Sequence, residues 1–345
     1  MNGKSIHYRH IPGSSCACVA WSGVFRNLGY NFEESDIFGL GSGLTFGYAA
    51  VASSKFFDLS VLSTNLIDDL FINLGIYAKL YRYTDNYKCL EEIISLIDNN
   101  IPVALLLNPL YCKRLIKVTP EDVRQYLPTH WIVVTGYNSE TKELVFYDNR
   151  QFNQSVISFE NFIDGRNLYT GVFNQNPRNY LYHVCYFDKI NPIDFSIKTS
   201  LEKTCLSFLE VQKELSFHIG SYGYEKCIRH IAIWNSIMPE ENVRELLKKI
   251  RVSITGAGGV NGAYRRLFSR YLFKANDVLK ESSYVKIAHQ FADSALLWEY
   301  FVKTLDECTN SDITCFSSSL LGLSKIMGNI YKIEKEGMKN ISKMI

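Results

Sequence analysis

Cys16 stands where a cysteine nucleophile is usually mounted. It follows His10, Ile11, Pro12, Gly13, Ser14 and Ser15, and it opens an apolar pattern of Ala17, Trp21, Val24, Phe25 and Leu28 that stops at Gly29. This spacing predicts a helix starting at Cys16, with Gly13, Ser14 and Ser15 as turn and N-cap candidates and Gly29 as the stop. In the first helical turn, the partial positive charge of the N-terminus lowers a thiol's pKa and raises the share of reactive thiolate at neutral pH. Cys18 is the only close cysteine neighbour. Side chains two residues apart on a helix point to nearly opposite sides, so Cys16 can face a cleft while Cys18 faces the core.

A nucleophilic cysteine needs a base, and the base needs an orienting partner. Two apolar runs, Trp131 to Tyr137 and Leu144 to Tyr147, flank Asn138, Ser139, Glu140, Thr141 and Lys142 and read as a β-hairpin. A loop at Asn138 to Glu140 sets His130 directly opposite Asp148, where Cβ atoms about 4.5 to 5.5 Å apart suit an imidazole–carboxylate hydrogen bond. A slip of one residue would send the two to opposite faces, and a shift of two would make them diagonal neighbours. Asn149 is the backup orienter. Attack on a carbonyl or thioester also needs an oxyanion hole. The Cys16 backbone N–H is one donor by position, and His10 is the side-chain candidate.

The elements that must position these residues suggest an α+β chain. Residues 1–190 read as a mixed domain, with helical periodicity near Asn65 to Leu74 and Cys89 to Ile97 and a buried strand at Pro102 to Leu107. Further strands are expected at Val156 to Phe159 and Tyr180 to Phe187. The apolar Gly-rich passage from Phe38 to Gly47 calls for backbone that bends tightly or approaches something closely. After a break near Lys189 to Pro192, residues 191–345 read as an all-α domain, with helices at 201–217, 225–237, 243–250, 264–279, 285–304 and 320–335. Gly256 to Gly262 lacks the spacing of a nucleotide-binding loop and reads as a turn between helices.

Composition excludes several functions. The 345 residues carry 37 basic and 35 acidic side chains, a net charge of +2, which gives no reason to propose nucleic acid as a partner. The N-terminus lacks an apolar leader and no stretch reaches the length of a membrane span, so a cytoplasmic protein is expected. Nine cysteines without close pairing beyond Cys16 and Cys18 fit neither a disulfide scaffold nor a structural zinc site. His7, His183, His218, His230 and His289 are expected to be structural. Basic clusters at Lys113, Arg114 and Lys117, at Lys248, Lys249 and Arg251, and at Arg265, Arg266 and Arg270 are candidates for docking an acidic protein or for ordinary solvated faces.

Cys16, then Asn27, Leu28 and Gly29, then Glu34, then the passage from Phe38 through Gly39, Gly41, Gly43 and Gly47 to Tyr48 resemble the N-terminal domain of the butirosin biosynthesis acyltransferase family. Gly256 to Gly259 and Tyr264 to Arg266, with the surrounding helices, resemble the helical domain that accompanies it. The resemblance implies a papain-like, C39-peptidase-like cysteine enzyme with chain order Cys, His, Asp. It implies transfer of an acyl group from the phosphopantetheine thioester of a carrier protein, through Cys16, to an amine, as an amide synthase of antibiotic biosynthesis. His130 becomes base and acid, and Asp148 the orienter. Peptidases of that superfamily usually have Gln six residues before the nucleophile, where this chain has His10. No cofactor or metal is expected, since the thioester already carries the activation. A cysteine hydrolase of the same fold and a non-catalytic binding or self-resistance protein are the alternatives. Paired apolar helices in the second domain allow a homodimer.

Overall fold

The computed structural model describes residues 3–51, 56–108, 111, 129–167, 180–186, 189–210, 213–214, 217–255, 262–310 and 313–345. The chain is α+β and divides into two compact units, one of residues 1–37 and 76–189, the other of 38–75 and 190–345.

The first unit contains strand β1 (Gly3–Ser5) and helix α1 (Cys16–Asn27), and helix α2 (Glu34–Leu40) begins in it and runs across the division. The Ser15 side chain caps α1 by accepting from the Cys18 N–H, and Gly29 ends it with φ of +90°, as the sequence predicts. Later in the chain, after β2 (Leu44–Val51), β3 (Phe56–Leu62) and α3 (Leu66–Leu74) of the second unit, come β4 (Tyr77–Arg82) and α4 (Asn86–Asp98). They are followed by β5 (Val103–Leu107), β6 (His130–Asn138), β7 (Glu143–Tyr147), β8 (Ser155–Ser158), α5 (Phe159–Asn167) and β9 (Tyr180–Tyr186). The sheet runs β1-β6-β7-β8, and β5 also pairs with β6, so β1 and β5 share one edge of β6 while β7 takes the other. β4 and β9 form a separate antiparallel pair.

Asp85 caps α4 through the Tyr87 and Lys88 N–H groups, and the helix turns Cys89, Leu90, Ile93 and Ile97 into the core. There they meet Val103, Leu105 and Leu107 of β5, Ile132 and Val134 of β6, and Leu144 and Phe146 of β7. α1 instead packs on Trp131 and Tyr182 through Trp21, with ring centroids at 6.0 and 5.7 Å.

The second unit contains β2 (Leu44–Val51), β3 (Phe56–Leu62), α3 (Leu66–Leu74), α6 (Ile193–Leu209), β10 (Lys213–Glu214) and β11 (Phe217–Ile219). Helices α7 (Gly220–Ile237), α8 (Glu240–Thr255), α9 (Arg265–Leu279), α10 (Ser283–Thr309) and α11 (Ile313–Ser342) complete it. Its sheet runs β10-β11-β2-β3. Two expectations change here. Residues 191–345 are not all helical: Lys213, Glu214 and Phe217, expected within the helix 201–217, lie in strands, and Phe217 to Ile219 pair with Ala49 to Gly47 of β2, so tertiary strand pairing overrides local periodicity. Residues 38–75, read as part of the first domain, supply half of this sheet and group with the C-terminal helices. Gly39 is a close approach, since a Cβ there would lie 2.0 Å from the Tyr271 ring. Residues 256–261 lie outside the described residues, and Gly262 beyond them has φ of +73°.

A fully buried ion pair holds this unit's interior. Arg265 Nε lies 2.8 Å and Nη2 3.0 Å from the two Glu334 oxygens. Tyr224, Ser294 and Trp298 also donate to that carboxylate, and the remaining guanidinium hydrogens meet the carbonyls of Ala263, Val61 and Thr45. Burial pushes the Glu334 carboxyl up, yet the Arg265 charge and these donors hold it below the usual range. Glu334→Gln leaves a buried guanidinium uncompensated and is expected to cost about 3–5 kcal/mol in chemical denaturation. An unchanged midpoint would show that the charge is not what stabilises this cluster.

Candidate active site

Cys16 is the first residue of α1 and is partly exposed, while Cys18 is fully buried. Helical phase separates the two as expected, and burial pushes the Cys18 thiol well up. His130 starts β6, and its Nε2 lies 2.5 Å from Asp148 Oδ2. The other Asp148 oxygen accepts from the Arg150 N–H at 2.9 Å. The histidine side chain is 13% exposed and the aspartate 1%, so water screens this pair little. The His130 side chain also acts on the Cys16 thiol, and with Nε2 engaged by Asp148 the ring atom left to face sulfur is Nδ1.

The hairpin register that brings His130 and Asp148 together differs from the expected one. Gly136, Tyr137 and Asn138 pair with Val145, Leu144 and Glu143, but beyond Thr135 the pairs are Val134 with Phe146 and Val133 with Tyr147. Thr135 is the extra residue of a β-bulge. Continued to the strand end, the second register puts Asp148 opposite Ile132, so His130 and Asp148 are diagonal neighbours on one side instead of directly opposed. Without the bulge, Asp148 would face Val133 and project away from His130. The loop itself is longer than expected: Asn138 Oδ1 accepts from the Glu140 and Thr141 N–H groups, and Lys142 takes φ of +54°.

Electrostatics follow from this geometry. Burial alone would raise the Cys16 pKa. The charge of His130, its hydrogen bond and a hydrogen bond from the Trp131 backbone outweigh burial, and the pKa falls below the ordinary thiol value. Burial disfavours a charged imidazole, but the charge of Cys16 and the hydrogen bonds to Asp148 and Cys16 raise His130 to about 10. Burial likewise raises Asp148, and the hydrogen bond and charge of His130 bring it below the usual carboxylate range. The His130 charge thus favours the Cys16 thiolate, and the thiolate and Asp148 together favour the charged imidazole between them. Trp131 was not foreseen, because a backbone donor leaves no mark in residue type.

The other expected residues have different surroundings. Asn149 does not touch His130. Its Nδ2 donates to the carbonyls of Gly13 at 3.0 Å and Ser14 at 3.2 Å, so the orienting bond belongs to Asp148 and Asn149 holds the turn before Cys16. His10 stacks on Tyr147 at 4.7 Å and lies by the backbone carbonyls of Asp148 and Gln151, without full hydrogen-bond geometry to either. Burial lowers its pKa, so its ring is neutral at pH 7. Of the other histidines, His230 meets the Tyr48 hydroxyl at 3.0 Å, His218 packs on Tyr222 and His289 on Phe273. The His183 side chain lies outside the described residues.

The basic clusters largely resolve into ion pairs. Arg265 is buried against Glu334, Arg266 pairs with Glu299, Lys248 with Glu245 and Arg251 with Asp306. Lys113, Arg114 and Lys117 lie outside the described residues. No described helix is long and apolar enough to cross a membrane.

Fold and geometry together define an α+β protein with a cysteine, histidine and aspartate in hydrogen-bonded sequence at one helix N-terminus. Residues 15–149 match the family model described as butirosin biosynthesis protein H, N-terminal, and residues 169–341 match that of a domain of unknown function, DUF4872. The chain belongs to the family of the DUF4872 domain, whose model covers half of it, and its N-terminal part is similar to butirosin biosynthesis protein H. No curated protein matches it.

The ion pair predicts a pH profile for iodoacetamide alkylation of Cys16. Because the thiol's pKa is depressed, the midpoint of the rate should lie below that of an ordinary thiol. His130→Ala removes the cation while burial remains, so its midpoint should move up and the rate at pH 7 should fall about tenfold or more. Equal profiles for the two proteins would rule the ion pair out.

Proposed function

We propose that this chain is a cysteine-dependent acyltransferase that makes an amide in antibiotic biosynthesis. One observation carries the reading: Cys16 lies partly exposed at a helix N-terminus, and the His130 that lowers its pKa is held by Asp148 at 2.5 Å. The likeness of residues 15–149 to butirosin biosynthesis protein H supports the biosynthetic context. A cysteine-bearing helix ahead of a sheet that carries first the histidine and then the aspartate is consistent with a papain-like, C39-peptidase-like arrangement.

In this scheme the Cys16 thiolate attacks the carbonyl of a phosphopantetheine thioester presented by a carrier protein. The tetrahedral oxyanion collapses, the pantetheine sulfur leaves, and it takes the proton from the His130 imidazolium. The acyl group is now a thioester on Cys16. An amine attacks it, neutral His130 takes the amine's proton, and Cys16 leaves as thiolate. Thiolate and imidazolium are restored, and the product is an amide. Asp148 keeps Nδ1 aimed at sulfur throughout and stabilises the charged ring. No metal or nucleotide enters, since thioester cleavage drives the transfer. The protein would act in the cytoplasm, where carrier proteins are loaded.

Intact mass spectrometry after incubation with acyl-pantetheine thioesters tests this directly. An acyl adduct on the wild-type protein, absent in Cys16→Ser and slowed about 10²-fold or more in His130→Ala, is the expected result. Adding amines to the loaded enzyme should release amide faster than water releases acid. Preferential hydrolysis would make the protein a cysteine hydrolase. A ligand-binding activity unchanged in Cys16→Ala, with no adduct from any acyl chain, would make it a non-catalytic binder.

A further inference from the structure

Two side chains grip the turn ahead of Cys16 from opposite sides. Glu34, in the first turn of α2, accepts through one oxygen from the backbone N–H of Ser14 at 2.8 Å and of Ser15 at 2.5 Å. Asn149 donates from Nδ2 to the carbonyls of Gly13 and Ser14, and its own carbonyl accepts from the Gly13 N–H at 2.7 Å. A peptide unit is planar, so its carbonyl and the following N–H are fixed together. The Gly13–Ser14 unit is held at its carbonyl by Asn149 and at its N–H by Glu34. The Ser14–Ser15 unit is held the same way, by the same two residues. Gly13 makes the fit possible, since a Cβ there would lie 2.6 Å from the second Glu34 oxygen.

With both planes fixed, only the torsions of Ser15, φ −96° and ψ 114°, set the next unit, the one that carries the Cys16 N–H. That N–H is the first in α1 and has no intrahelical acceptor. We propose that Glu34 and Asn149 are positioning residues that aim the Cys16 backbone N–H at the oxyanion formed when the thiolate attacks an acyl carbonyl. This rests on the acyl-transfer reading above. It assigns the two residues a function separate from thiol activation: the groups acting on the Cys16 sulfur are His130, the Trp131 backbone and Asp148, while the Glu34 charge acts on Cys18.

Two reactions of the same sulfur separate these functions. Alkylation by iodoacetamide is displacement at saturated carbon and develops no oxyanion, whereas acylation by an acyl-pantetheine thioester does. Glu34→Ala and Asn149→Ala should slow acylation about tenfold or more, by analogy with losing an oxyanion donor. Alkylation rate and its pH midpoint should stay within about twofold of wild type, since the ion pair is untouched. Glu34→Gln keeps an acceptor oxygen and should restore most of the acylation rate. Circular dichroism and thermal melts on each variant verify folding. A parallel fall in both reactions would mean general loosening of the turn and would overturn the inference, as would acylation at the wild-type rate. If the wild-type protein itself forms no adduct with any acyl probe, the acyl-transfer reading fails and this inference falls with it. That pattern is distinct because it appears before any variant is compared.

Discussion

Everything in the first unit is arranged around strand β6. Its two edges are both occupied, by β1 and β5 on one side and β7 on the other, and its first residues are His130 and the Trp131 whose N–H reaches the thiol. A strand so fully paired cannot slide, and side-chain direction along it alternates strictly. The bulge at Thr135 is the one break in that alternation. It shifts parity once, after the hairpin loop has set its register and before the strand reaches His130. The chemistry of the site thus depends on a backbone irregularity five residues from the imidazole.

The two units both contain buried charge and handle it differently. In the second, Glu334 accepts from Arg265, Tyr224, Ser294 and Trp298, none of which has a reason to let go, and the ion pair is fully shielded. Such a cluster specifies one packing of the helices. In the first, the charge ends on a sulfur that stays partly exposed and is satisfied by His130 and a single backbone donor. A low-dielectric surround strengthens the pairing, but the open side of the thiolate leaves it able to react.

What could be read from sequence followed from local rules. The Ser15 cap, the stop at Gly29 and the phase that hides Cys18 all depend on neighbours within one helix. The hairpin was legible from its alternating runs, and His130 and Asp148 from residue type. Their register was not, because a four-residue loop and a bulge together decide it, and neither has a decisive residue signature here. Asn149 was given the wrong task for a related reason: its partners, the carbonyls of Gly13 and Ser14, lie some 135 positions away. Strands β2 and β11 are not legible as a pair, since the helical periodicity runs on to Phe217 and the partner strand lies far away in the chain.

The membership of residues 38–75 in the second unit has a consequence for how the chain is made. A ribosome delivers β2 and β3 early, yet their partner β11 lies at 217–219 and helices that pack on them run from 220 to 255. At about 5–20 residues per second, the hairpin waits on the order of ten seconds or more for these partners. The first unit has all its residues by position 189. During that interval the unpaired edge of β2 is an open template for another nascent chain.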